Sequence, residues 1–186
     1  SSFALSYVDE DSTQGIQKRT AKIETFELPT ISTDEFVGTV SGGSLADILI
    51  DNGSSLLSAP VDVNEDISDV NPITIPLLFS EEAPCVADQI LIKTDVSKEN
   101  QITGGIVTIE TTEGTIDATI VSADSRSAVA ASAATVIINE DGSISINLGN
   151  QVAIKKITIK VTQTASNKLA DIAQVEFLNG MENRIP

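Results

Sequence analysis

Histidine and tryptophan are absent from this 186-residue chain, which holds one cysteine, one tyrosine and five phenylalanines. Without histidine there is no imidazole base, no Ser-His or Cys-His pair and no His-ligated metal. A lone cysteine, Cys85, rules out an intrachain disulfide; between Pro84 and Val86 at the start of a strand it reads as a small buried apolar residue. No apolar run is long enough to cross a membrane as a helix. The opening SSFALSYVDEDS lacks the basic start and apolar run of a signal peptide, as a mature or excised piece would. Basic residues are also scarce. Eleven Lys and Arg against 27 Asp and Glu leave a net charge of −16, which repels nucleic acid and anionic lipid.

With so few aromatics, the core must be built from Ile, Val, Leu and Ala, residues that with Thr favour strands. The chain is organised around Gly142 to Asn179. Ile144, Ile146 and Leu148 alternate with polar residues, Leu148-Gly149-Asn150 reads as a turn, and Ile154, Ile157, Ile159 and Val161 form a second, longer strand. Lys155-Lys156 breaks the alternation and predicts a bulge. A polar loop then leads to a last strand through Ile172, Val175 and Phe177. Upstream, strands are predicted over 19–28, 35–40, 72–79, 86–94, 105–111, 115–122 and 135–139. Ser44 caps a short helical turn, and tight turns fall at Glu113-Gly114 and Glu140-Asp141-Gly142. Pro76 places its strand at an edge or a bulge. The stretch from Pro72 to Thr94 faintly echoes Ser143 to Thr162. Short strands at regular spacing with Gly, Asn and Pro punctuation predict an all-β antiparallel sandwich, and no sustained helical period supports an α/β fold.

Four pieces, in order, resemble a discoidin-like domain, the coagulation-factor type C or galactose-binding-like jelly roll related to the family 32 carbohydrate-binding modules. They are the early loop Leu49-Ile50-Asp51-Asn52-Gly53-Ser54-Ser55; Ile73-Thr74-Ile75-Pro76-Leu77 with Ala87 to Ile92; Ile157 to Val161; and Ile172 to Phe177. The resemblance spans roughly residues 35–180. It leaves 1–34 as a linker or added strand and 181–186 as a junction to a following module. It implies a binding or adhesion module of a large secreted or surface-exposed bacterial protein, with neighbouring modules of the same chain as contacts. Members of the family often hold a structural calcium, and the matching positions here are Asp51, Ser54, Ser55, Gln174 and Glu176. Two departures stand out: Leu56-Leu57 replaces the usual Trp, and Gln174 stands where a Glu is usual.

For function, the resemblance implies glycan recognition by loops at one end of the sandwich. The polar candidates are Asn52, Asn64, Asp66, Asn100, Gln101 and Arg126, and the stacking candidates are Tyr7, Phe36 and Phe79. The alternative is a spacer or protein-assembly module that contacts a cell-surface protein and takes no small ligand. Catalysis is not expected. Asp62, Glu65, Asp66 and Asp69 crowd one loop, whereas glycosidases hold two carboxylates across a cleft. Gly42-Gly43 and Gly104-Gly105 are turns without the Lys-Ser/Thr that follows a phosphate loop.

Overall fold

A computed structural model describes residues 29–32, 34–94, 98–121 and 134–180. The strand expected over 19–28 lies outside them. The described residues form eleven strands: β1 (Thr30–Ile31), β2 (Thr39–Gly42), β3 (Leu56–Ala59), β4 (Ile73–Leu78), β5 (Cys85–Lys93), β6 (Ile102–Thr111), β7 (Gly114–Ile120), β8 (Thr135–Ile138), β9 (Ile144–Thr164), β10 (Ala170–Ile172) and β11 (Gln174–Leu178). Every pairing is antiparallel. The architecture is the expected all-β sandwich of curled sheets, with β10, β3 and β2 forming a small separate sheet.

The spine is β9, a single strand of 21 residues. Its first arm lies between β8 and β5, with Ile146 opposite Val136 and Ile90. Its second arm lies between β4 and β6, with Ile159 opposite Ile75 and Val107. The partners change at Ile154, which faces both Cys85 and Thr111. Thr111 pairs with Ile154 and Glu110 with Lys156, so Lys155 is the extra residue of the bulge that the double lysine predicts. The strand folds back on itself, because Gln101 touches both of its ends. The Gln101 carbonyl accepts from the amide of Ala165 at 3.0 Å, and its Nε2 donates to the carbonyl of Asp141 at 3.3 Å.

Three sequence expectations need correction. The turn at Leu148-Gly149-Asn150 is instead a bulge within β9. The pairing with β5 jumps from Ala87 opposite Val152 to Gln89 opposite Asn147, and Gly149 adopts φ +84°. A residue without Cβ takes that left-handed value without steric cost, so the chain bulges out and returns to the same partner. The last strand is two strands: Ala173 breaks the run, β10 pairs with β3, and β11 pairs with β5. Third, β3 itself was not predicted.

Pro76 sits in β4, which β9 pairs throughout. Its ring nitrogen faces the other side, in the gap between the Val37–Thr74 bridge and the Thr30–Leu78 pair, where no ladder bond is lost. The 3-10 helix Leu45–Leu49 follows Ser44 as expected. The core is aliphatic: Ile48, Ile73, Ile75, Ile90, Ile92, Ile144, Ile146, Ile157 and Ile159 are all 0% exposed. Phe79 is its one deeply buried aromatic among the described residues.

Candidate functional site

Because β9 doubles back, the loops that precede β4, β6 and β9 and the loop that follows β9 come to the same end of the sandwich. Each loop is built by side chains that bond backbone.

In the loop 60–72, Asn71 Nδ2 reaches the carbonyls of Asp62 (3.0 Å), Glu65 (3.3 Å) and Asp66 (3.2 Å). The Asn64 amide donates to Asp62 Oδ1 at 3.1 Å. Ile67, only 3% exposed, pins the loop into the core, and its amide donates to the Asn167 carbonyl at 2.8 Å. After β9, Thr164 and Asn167 form a reciprocal clasp. The Thr164 amide donates to Asn167 Oδ1 and the Asn167 amide to Thr164 Oγ1, both at 2.9 Å. Asn167 takes φ +60°, a left-handed value that Asn tolerates better than most residues.

The hairpin before β9 closes on Asp141, whose Oδ1 accepts from the Ser143 hydroxyl (2.6 Å) and amide (2.9 Å). Those bonds hold the Asp141 carboxyl below its ordinary range. Between these loops, Ser166 donates from its amide to the Glu99 carbonyl at 2.7 Å and from its hydroxyl to Asn100 Oδ1 at 3.4 Å. Lys168 pairs with Asp66 across 102 residues of sequence, and the hydrogen bond and charge of Asp66 raise its pKa.

Of the sequence-predicted ligand residues, the structure brings Asn64, Asp66, Asn100 and Gln101 to this end. Gln101 has a structural duty there, joining the two ends of β9. Asn52 is elsewhere: its Nδ2 donates to Asp47 Oδ1 at 3.1 Å within the early loop. Arg126 and Tyr7 lie outside the described residues. Lys168, Asp141, Ser166 and Asn167 belong to this end but were not predicted as site residues; the polar run Ser166-Asn167-Lys168 between two strands was the available signal. Among the described residues no aromatic ring belongs to these loops. Phe79 packs edge-on against Phe177 at 4.9 Å and 83°, and Phe36 packs half-buried against the core, so neither offers a stacking face at the loop end.

The five positions matched to calcium do not form a donor set that fits it. Ser55 Oγ donates to Asp171 Oδ2 at 3.1 Å, and Glu176 pairs with Lys93 at 3.5 Å. The Ser54 amide is turned to Asn52 Oδ1 at 2.9 Å. Asp51 is exposed. Gln174 presents only a neutral oxygen, buried and without a hydrogen-bond partner. Among the described residues no three acidic or cysteine side chains gather to hold an ion. Calcium takes six to eight oxygens and gains affinity with ligand charge; a single carboxylate with one amide falls short.

Comparison with solved structures fixes the fold. The family 32 carbohydrate-binding module of C. perfringens NanJ, solved with galactose, superposes with a TM-score of 0.53 at 11% identity, over 79% of this chain and 90% of that one. A mutant lectin-binding domain of lectinolysin, solved with Lewis b, gives 0.52 at 10% identity, over 81% and 92%. The fold is discoidin-like. At such identities the likeness is one of fold, and no family model and no curated protein sequence matches the chain. The 3-10 helix of the early loop packs against β1, β3 and β11.

Proposed function

We propose that this chain is a non-catalytic binding module of a secreted or surface protein, recognising carbohydrate through the loop end. One observation carries the reading: amides, hydroxyls and carboxylates from four separate loops converge at one end of a discoidin-like sandwich, on backbone pinned by side-chain hydrogen bonds. Neutral sugars offer hydroxyl groups that such donors and acceptors match. The two similar structures, solved with galactose and Lewis b, support sugars as the first ligands to try. The absence of histidine supports a non-catalytic role, as does the buried Cys85 thiol, pushed up to about 12 by desolvation and so unsuited to nucleophilic attack.

The test is a glycan array, followed by calorimetry with galactose and a fucosylated oligosaccharide. Binding that weakens in Asn64→Ala and Asp66→Asn while the melting temperature holds would support the reading. A blank array with a well-folded protein would sink it.

A second reading, a protein-contact or spacer module, is favoured by the lack of a loop-end aromatic among the described residues and by three valines standing out of the acidic loop, Val61 at 61%, Val63 at 58% and Val70 at 93% exposed. Single exposed apolar residues are ordinary. Val70→Ser discriminates, because it should leave sugar binding intact and reduce a protein contact.

A further inference from the structure

We infer that the junction between the early loop and the last strands is closed by a metal-independent hydrogen-bonded clasp, and that the neutral side chain of Gln174 is what makes it so. The early loop first closes on itself around Asp47. Its Oδ2 accepts from the Ser44 amide at 2.9 Å, and its Oδ1 accepts from Asn52 Nδ2 at 3.1 Å. Asn52 Oδ1 in turn accepts from the Ser54 amide at 2.9 Å. Gly43 allows the closure. Its φ is +67°, and a Cβ there would stand 1.9 Å from the Ser55 carbonyl oxygen.

The closed loop is then tied to β10, the strand paired with β3, by the Ser55 hydroxyl, which donates to Asp171 Oδ2 at 3.1 Å. Asp171 is 2% exposed. A buried carboxylate needs bonded donors, and Ser55 supplies one from 116 residues away. A divalent ion bridging the same two segments would need carboxylates turned toward it. Here Asp47 and Asp171 are turned to protein donors, and Glu176 to Lys93. On β11, which packs against the 3-10 helix of the early loop, Gln174 Oε1 is buried, uncharged and without a hydrogen-bond partner. Placing a carboxylate on that atom would create a buried charge that protein donors do not meet, and a hard cation would then be the natural counter-ion.

The experiment uses the full chain in calorimetric melts with calcium chloride or with EGTA. Wild type should melt at the same temperature in both. Ser55→Ala should lose roughly 2–4 °C by the same amount in both, the shift of about one hydrogen bond in a domain of this size. Gln174→Glu should melt lower than wild type in EGTA and recover with millimolar calcium, because an ion that binds only the native state raises the melting point by mass action. A calcium-dependent rise in wild type, or calcium rescue of Ser55→Ala, would overturn the metal-independent clasp. A Gln174→Glu variant as blind to calcium as wild type would overturn the role given to Gln174.

Discussion

The interior of the sandwich and its loop end are held by different physics. Along β9 the interior is nearly pure aliphatic alternation, with the inward-facing side chains closed to water. At the loop end the same strand's two termini are joined through Gln101, Thr164 and Asn167 clasp the loop that follows it, and the described loop residues include no aromatic. Burial is worth about 25 cal/mol per Å² of apolar surface, whereas one hydrogen bond nets about 1 kcal/mol. Stability should therefore reside in the interior, leaving the loop end free to be shaped for a ligand. Substitutions that cross this division are the way to break it.

The largest effect should come from Ile159→Ala, at a residue 0% exposed between Ile75 and Val107. Truncating a buried Ile costs roughly 2–5 kcal/mol through lost transfer energy and the cavity left behind. Urea denaturation should show this, and Ile146→Ala on the other arm should fall in the same range. If either costs less than Gln101→Ala, the division between interior and loop end is wrong. Next comes Gly43→Ala. A left-handed non-glycine residue costs on the order of 1–3 kcal/mol, and here the methyl also meets the Ser55 carbonyl. The same denaturation series measures it.

Why the interior was legible and the loop end less so follows from the range of the interactions. Alternation is local, so Ile144 to Val161 could be read as strand, and the doubled lysine gave away its bulge. The faint echo between Pro72 to Thr94 and Ser143 to Thr162 has a structural meaning: the β4–β5 stretch runs antiparallel along both arms of β9. Leu148-Gly149-Asn150 misled because its turn chemistry is real. That the chain rejoins the same partner is information held by β5, not by the turn. The break at Ala173 was hidden for a similar reason, since Ile172 and Val175 are both apolar and only their pairing with β3 and β5 separates them. At the loop end the residue types could be named, but their partners lie far off in sequence. Nothing near Asp66 announces Lys168, and nothing near Ser55 announces Asp171.

Cys85 sharpens the interior side of the comparison. Burial raises its thiol from an ordinary value of 9.0 to about 12. The folded state therefore holds this proton more tightly than the unfolded state. The stability it contributes is full below pH 9 and is lost as pH rises toward 12. Melting temperature should fall across that window, and Cys85→Ala should flatten the part of the slope due to the thiol. Iodoacetamide should leave native protein unmodified at neutral pH; rapid native labelling would contradict the burial. On the loop-end side, Gln101→Ala removes the side-chain bond to Asp141 and should cost about 1 kcal/mol. Hydrogen exchange should quicken first at Ala165, whose amide that residue's carbonyl receives, rather than in the middle of β9.

The smallest effect on stability should come from Lys168→Ala, and it is the most telling. The Asp66–Lys168 pair joins two loops, yet the side chains are 58% and 65% exposed, respectively. Solvent screens such a pair, and holding two flexible side chains together offsets what attraction remains. The melting temperature should not move, at low or high salt. The carbohydrate binding proposed for this end should change, because removing the ammonium unmasks the Asp66 carboxylate and leaves more net negative charge on loops already carrying Asp62, Glu65, Asp69, Glu99 and Asp141. A salt-dependent drop in melting temperature would mean that charge helps to fold the loop end, and stability could no longer be assigned to the interior alone. An unchanged melting temperature with altered binding would show the two regions to be separable: an aliphatic frame that carries the folding energy, and a polar end whose side chains can be exchanged without endangering it.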